Sequence, residues 1–303
     1  MRFTSAVDQY IADMRAEDRI RSPHTELAYR TKLVWLAEAA GNRPPRMIGY
    51  EDVKRALGRW QGNSRVQAHA IYRSFFDWAM SERIADTNPA RMVRPGRRRE
   101  PRVAKLTRDE VVVLLQSTAD RRRDRWVAYL GVCAGLRSQE LRSIQGRDFA
   151  RPGWIHVIGK GDKERWIPVI ADLELVVGEI VSLIGMNEYV LPGRRPINPP
   201  YNTILREDPA TMLSPSALYK QVVAMGEAAG LAHRIHPHTL RHAFAEMVAK
   251  AAGVRVAQEL LGHANMETTA GYTERPTLDE LAVSVQGFSF FPTHQVQKGR
   301  NPR

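Results

Sequence analysis

Four short segments, far apart along the chain, hold side chains suited to one kind of reaction. They are Gly135-Leu136-Arg137-Ser138-Gln139-Glu140-Leu141, then Gly159-Lys160-Gly161-Asp162-Lys163-Glu164-Arg165, then His238-Thr239-Leu240-Arg241-His242, and last Leu261-Gly262-His263 with Tyr272 nine residues on. A phosphodiester under attack passes through a five-coordinate, more negative species. Fixed cations stabilise it, and arginine suits the task because it is permanently charged and forks onto two oxygens. The departing alkoxide needs a proton, which lysine or histidine can give. The nucleophile must attack in line. A phenol, with a pKa of about 10, becomes competent only in a cationic pocket with a base nearby. Arg137, Lys160, His238, Arg241, His263 and Tyr272 meet these requirements.

Each residue also has a plainer reading. Arg137 could be a surface residue, Lys160 or Lys163 a solvated turn residue, and Tyr272 a packing residue. His238 and His242 stand i, i+4 and could hold a metal on one helix face, but no cysteine cluster or HExxH pattern accompanies them. No metal and no cofactor is expected.

The chemistry must be carried by a folded, basic protein. The 303 residues are 43% hydrophobic, enough for two domains with their own cores. The formal net charge is +12. It is spread along the chain: residues 1–100 hold 19 Lys/Arg against 12 Asp/Glu, and the rest hold 26 against 21. Such a surplus points to a polyanionic partner. Cys133 is the single cysteine, so an intrachain disulfide is excluded and a reducing cytoplasm fits. The apolar run around Cys133 is too short to span a bilayer, and the first residues show no signal-peptide core, so no membrane partner is expected.

The elements that position these residues read as mainly helical. Ser22-Pro23 opens a helix over 22–39, and Gly41 to Pro45 ends it. A helix over 64–82 carries Ile71, Phe75, Trp78 and Ala79 on one stripe. Residues 1–95 are expected to form a helical bundle, 96–106 a basic linker and 107–303 a second domain. Arg94, Arg97, Arg98, Arg99 and Arg102 cluster around that linker among Pro95, Gly96 and Pro101, and are the candidate DNA-binding residues. Thr107 and Glu110 form a capping box. Helix is expected to about 136, and Ser138 is expected to cap a short helix to 144. Runs 154–158 and 165–169 flank a six-residue tip, which predicts an antiparallel hairpin with Pro168 on an edge strand. Helix resumes near Asp172. Residues 192–214, with five prolines, are expected to be loop. Further helices are expected from Ser214-Pro215 and over 238–250, 254–261 and 277–285. The last carries Leu278, Leu281, Ala282 and Val285 on one stripe.

Together, in this order, the four motifs resemble the tyrosine recombinase, or phage integrase, family. The resemblance covers most of residues 105–285, and the helical first block is similar in size and type to that family's core-binding domain. It implies that Arg137 and Arg241 clamp the scissile phosphate, Lys160 protonates the 5′-oxygen, His238 assists as base or positioning group, and His263 hydrogen-bonds a non-bridging oxygen. Tyr272 would form a 3′-phosphotyrosyl link, with Glu140 orienting its neighbours. A free 5′-hydroxyl then reseals the strand. Bond energy stays in the ester, so neither ATP nor a metal is required. The partners implied are double-stranded attachment or recombination sites held in a C-shaped clamp, a homo-tetramer on paired sites, and a directionality factor. No accessory arm-binding domain is evident ahead of the helical block.

The expected role is integration of phage or mobile-element DNA in the bacterial cytoplasm or nucleoid. Xer-like resolution of chromosome or plasmid dimers is the alternative. A topoisomerase IB-like relaxing enzyme and a non-catalytic DNA-binding protein are the remaining rivals. The stripe at 278–285, or the tail with Phe288, Phe290 and Phe291, is expected to dock on a neighbouring protomer.

Overall fold

Cap residues set the first helices. In the computed structural model, Ser22 Oγ accepts from the Thr25 N–H at 3.1 Å and Pro23 takes the first helical position. The structure describes residues 1–97, 105–159, 163–196, 205–262 and 276–291. The chain divides into two units, Met1–Arg102 and Val103–Arg303.

The first unit holds four α-helices among its described residues: α1 (Phe3–Ala16), α2 (Pro23–Ala39), α3 (Tyr50–Gly58) and α4 (Gly62–Ser81). The stripe on α4 faces inward, with Ile71, Phe75 and Ala79 buried. Phe75 packs against Phe3 at 4.7 Å and edge-on against Tyr10 at 5.5 Å between ring centroids. Each such ring contributes roughly 1.5–3 kcal/mol by leaving water. Trp78 lies at the rim of this core and donates from Nε1 to Asp13 at 2.9 Å.

The second unit begins with α5 (Arg108–Ser117), where Thr107 and Glu110 close the expected box at 3.2 and 2.8 Å. Then come α6 (Arg122–Val132) and the short α7 (Ser138–Ser143). Strands β1 (Trp154–Ile158) and β2 (Glu164–Pro168) pair antiparallel, from Trp154 opposite Pro168 to Ile158 opposite Glu164. Ile155, Val157 and Ile167 enter the core from this ribbon. Next are α8 (Ala171–Leu183), β3 (Pro192–Pro196), β4 (Leu205–Met212), α9 (Pro215–Ala228), α10 (Pro237–Ala252), α11 (Val254–Leu261) and α12 (Leu278–Ser284).

Expectations are corrected at three places. Residues 192–214 are not simply loop: β3 and β4 form a second antiparallel ribbon with a register shift at Pro192/Gly193. In a two-stranded ribbon each strand has an unpaired outer edge where prolines fit, and polar residues on both faces leave no alternation to read. Second, the cap of α7 is Arg137 and not Ser138, and α6 ends at Val132 rather than near 136. Third, part of the stripe of α12 is already covered within its own unit. Leu281 and Val285 are buried, Phe290 is fully so, and all three belong to the core of their own unit. The Asp172 carboxylate accepts from Ser289 Oγ at 2.7 Å and from the Phe290 N–H at 2.6 Å. Arg108 donates to the carbonyls of Ser289, Phe290 and Phe291.

Candidate active site

The short helix α7 shows why Glu140 matters. Its first turn leaves N–H groups unpaired, and Glu140, three residues in, turns its carboxylate back to accept the Arg137 N–H at 2.7 Å. The same carboxylate takes Arg137 Nη1 at 2.8 Å. Backbone and guanidinium of one arginine are thus held by one acid.

Arg241 comes from α10, whose entry is set by Pro237 at the first helical position and by the His236 N–H donating to Thr239 Oγ1 at 3.2 Å. The Arg241 side chain is buried. Its Nη1 donates to the Gly135 carbonyl at 2.5 Å and its Nη2 to the Leu261 carbonyl at 2.6 Å, and Nη1 stands 3.8 Å from Glu140 Oε2. Arg137 Nη2 donates to the Gly262 carbonyl at 2.9 Å. Gly262 ends α11 in the left-handed conformation, at φ +62°, where a side chain would be strained and its Cβ would lie 3.1 Å from Arg165 Cδ.

The structure therefore brings Arg137, Glu140 and Arg241 together, from segments more than 100 residues apart. His238 lies one turn before Arg241 on α10 and is exposed. Its ring is 6.2 Å from that of His236. Burial, then the neighbouring His238 and His242, push His236 below the usual histidine range. His242 is lowered chiefly by burial and then by His238 and Arg241. Lys163 is exposed at the foot of β2. Lys160, His263 and Tyr272 lie outside the described residues, as do Arg98, Arg99 and Arg102. Arg94 and Arg97 are exposed in the first unit.

Sequence reasoning missed Arg165. Its side chain is 10% exposed and meets both Glu140 oxygens at 2.8 Å. Three guanidiniums thus converge on one carboxylate. Burial penalises charged Glu140, but the bonds and charge of Arg165, then those of Arg137, outweigh it and hold the acid at about 2. Burial and then Arg137 pull Arg241 down to about 9, against the pull of Glu140. Cations under mutual strain, with one carboxylate among them, form a pocket that an anion relieves. Arg137, with 29% of its side chain exposed, is the member most open to such an anion.

The chain is similar to known proteins in sequence and fold. Residues 104–277 match the phage integrase family. The chain is 32% identical to the tyrosine recombinase XerC of Vibrio vulnificus (strain YJ016) over 280 residues, covering 88% of this chain and 85% of that protein. In fold it resembles a lambda integrase (75-356) dimer bound to a COC′ core site, with a TM-score of 0.69 and 21% identity over 90% of this chain and 99% of that one. It also resembles a lambda integrase tetramer bound to a Holliday junction, with a TM-score of 0.68 and 20% identity over 90% of this chain and 80% of that one. The chain belongs to the phage integrase family: it is a tyrosine recombinase, a site-specific DNA recombinase. Among the described residues no helix is long and apolar enough to cross a membrane.

Proposed function

We propose that this chain cuts and rejoins duplex DNA at paired target sites through a 3′-phosphotyrosyl intermediate on Tyr272. The observation that carries the reading is the convergence of Arg137 and Arg241 on Glu140, with both guanidiniums anchored on backbone carbonyls. A scissile phosphate entering there gains charge as it becomes five-coordinate, and prepositioned cations stabilise that change without reorganising. Tyr272 attacks phosphorus, and the bond to the 5′-oxygen breaks. Lys160 on the β1–β2 connection delivers the proton to that oxygen. His238 assists from the exposed first turn of α10, His263 contacts a non-bridging oxygen, and Glu140 orients Arg137. Attack by a 5′-hydroxyl from the partner site releases Tyr272 and reseals the strand.

The first unit, residues 1–95 as read from the sequence, and the catalytic domain from 107 onward would both contact duplex DNA, with the basic linker 96–106 along its phosphates. The reaction takes place where bacterial DNA lies, in the cytoplasm or nucleoid. It is carried out by a homo-tetramer, in keeping with the lambda integrase neighbour, and a directionality factor sets its sense. Integration of phage or mobile-element DNA is one role. Dimer resolution is the second, and the XerC relative, matched over most of its length, favours it.

The test uses a nicked suicide substrate built from DNA flanking the encoding gene. The parent protein should form a covalent adduct, and Tyr272→Phe should bind the same DNA without forming one. An adduct in Tyr272→Phe would sink the assignment. Plasmids carrying two sites, against one site plus a linear partner, separate resolution from integration.

A further inference from the structure

All three side-chain nitrogens of Arg165 are engaged within the protein. Nε donates to the Leu260 carbonyl, Nη1 to Glu140 Oε1 and Nη2 to Glu140 Oε2, each at 2.8 Å. It stands on β2 opposite Val157, beside the connection between the two strands. Glu140 Oε1 and Oε2 are the same oxygens that hold the Arg137 guanidinium and backbone N–H. Leu260 precedes Leu261, whose carbonyl holds Arg241. A single side chain thus runs from the hairpin to Glu140, which holds Arg137, and to the residue next to Leu261, which holds Arg241. The other strand end lies equally close: a Cβ at Gly159 would be 3.5 Å from Glu140 Oε1 and 3.6 Å from Arg137 Nη1. A buried ion pair is weak as a source of stability, because matched apolar groups serve as well. A planar fork on a carboxylate instead fixes orientation.

We propose that Arg165 is a positioning residue for strand cleavage. The Glu140–Arg165 fork fixes the ends of β1 and β2, which flank the proton donor in sequence, relative to the Arg137–Arg241 pair. The proposal rests on the reading that a lysine between those strands, Lys160, protonates the leaving oxygen.

The experiment compares cleavage of ordinary suicide DNA with cleavage of DNA carrying sulfur in place of the scissile 5′-bridging oxygen. In the second substrate the Tyr272 oxygen bonds to phosphorus, the P–S bond breaks, and the electron pair leaves as a thiolate. A thiol has a pKa of about 8.5, against about 15.7 for water as a guide to an alcohol, so no proton donor is needed. Arg165→Gln should slow cleavage of ordinary DNA by about 10²-fold, the scale of a small displacement of a catalytic group. Sulfur should recover most of that loss, and DNA affinity should stay at the parental value. Arg165→Lys keeps a cation beside Glu140 but has no fork, so it should show the same pattern. It is also the variant that carries the test if Arg165→Gln does not fold.

A defect that sulfur leaves untouched in both variants overturns the proposal, as does parental cleavage of ordinary DNA by Arg165→Lys. Lys160→Ala is run alongside. Sulfur rescue of the Arg165 variants without rescue of Lys160→Ala would move the proton donor to Lys163 and leave the positioning role intact. Rescue of Lys160→Ala alone would retain the donor and remove the role of Arg165.

Discussion

Glu140 shows how one carboxylate ties a local helix cap to a long-range site. Its folded pKa of about 2 lies below the ordinary value of 4.5. A depressed acid contributes stability that is fully present above the unfolded value and fades as pH falls from 4.5 toward 2. The shift corresponds to on the order of 3 kcal/mol. Urea unfolding of the parent and Glu140→Gln at pH 7 and pH 3 should show a stability gap that narrows at the lower pH; a gap of constant size would mean that the charge of Glu140 is not what the fold uses. Arg137, Glu140 and Arg241, the members the structure brings together, were legible because they stand in short motifs at fixed spacings. Arg165 could not be singled out, although it stands in one of the motifs. Its partner is 25 residues away, and the strand pairing that aims it at Glu140 leaves no periodic trace. The role of His236 as cap of α10 was hidden for a related reason, since histidine is an unusual cap and the bond runs from its backbone.

At the level of elements, caps were the most readable signals. Ser22, Thr107, Ser214 and Thr277 each accept a backbone N–H at the start of a helix. The β1–β2 ribbon was legible because Ile155 and Val157 alternate toward the core. The β3–β4 ribbon was not, because Arg194, Arg195, Arg206, Glu207 and Asp208 give it no apolar face. For α12 the stripe was correctly seen, but its destination was not. An apolar stripe shows that something must cover it, not which surface does so, and here the cover is the core of its own unit. Phe290→Ala should therefore cost about 3–5 kcal/mol of stability, the range for emptying a buried ring site, measured by urea denaturation. Full retention of the parental midpoint would mean that the segment around Phe290 contributes nothing to folding.

Across the whole molecule the surplus of positive charge should govern binding. Phosphate contacts release counterions, so affinity should fall linearly on a log–log plot against salt. Arg94→Ala and Arg97→Ala, both at exposed positions, should each reduce that slope by about 1 and weaken binding to all sequences alike. Titrations at several salt concentrations on target and random duplexes measure both effects, and an unchanged slope would remove Arg94 and Arg97 from the DNA path. The anchoring of the two phosphate arginines has a further consequence. Gly135, Leu261 and Gly262 hold them through peptide oxygens that every amino acid possesses. At Leu261 the tether survives any replacement that keeps the chain's course. The side chain of Leu261 is buried in the core, so drift there is confined to apolar replacements, while the tether itself asks only that the backbone keep its path.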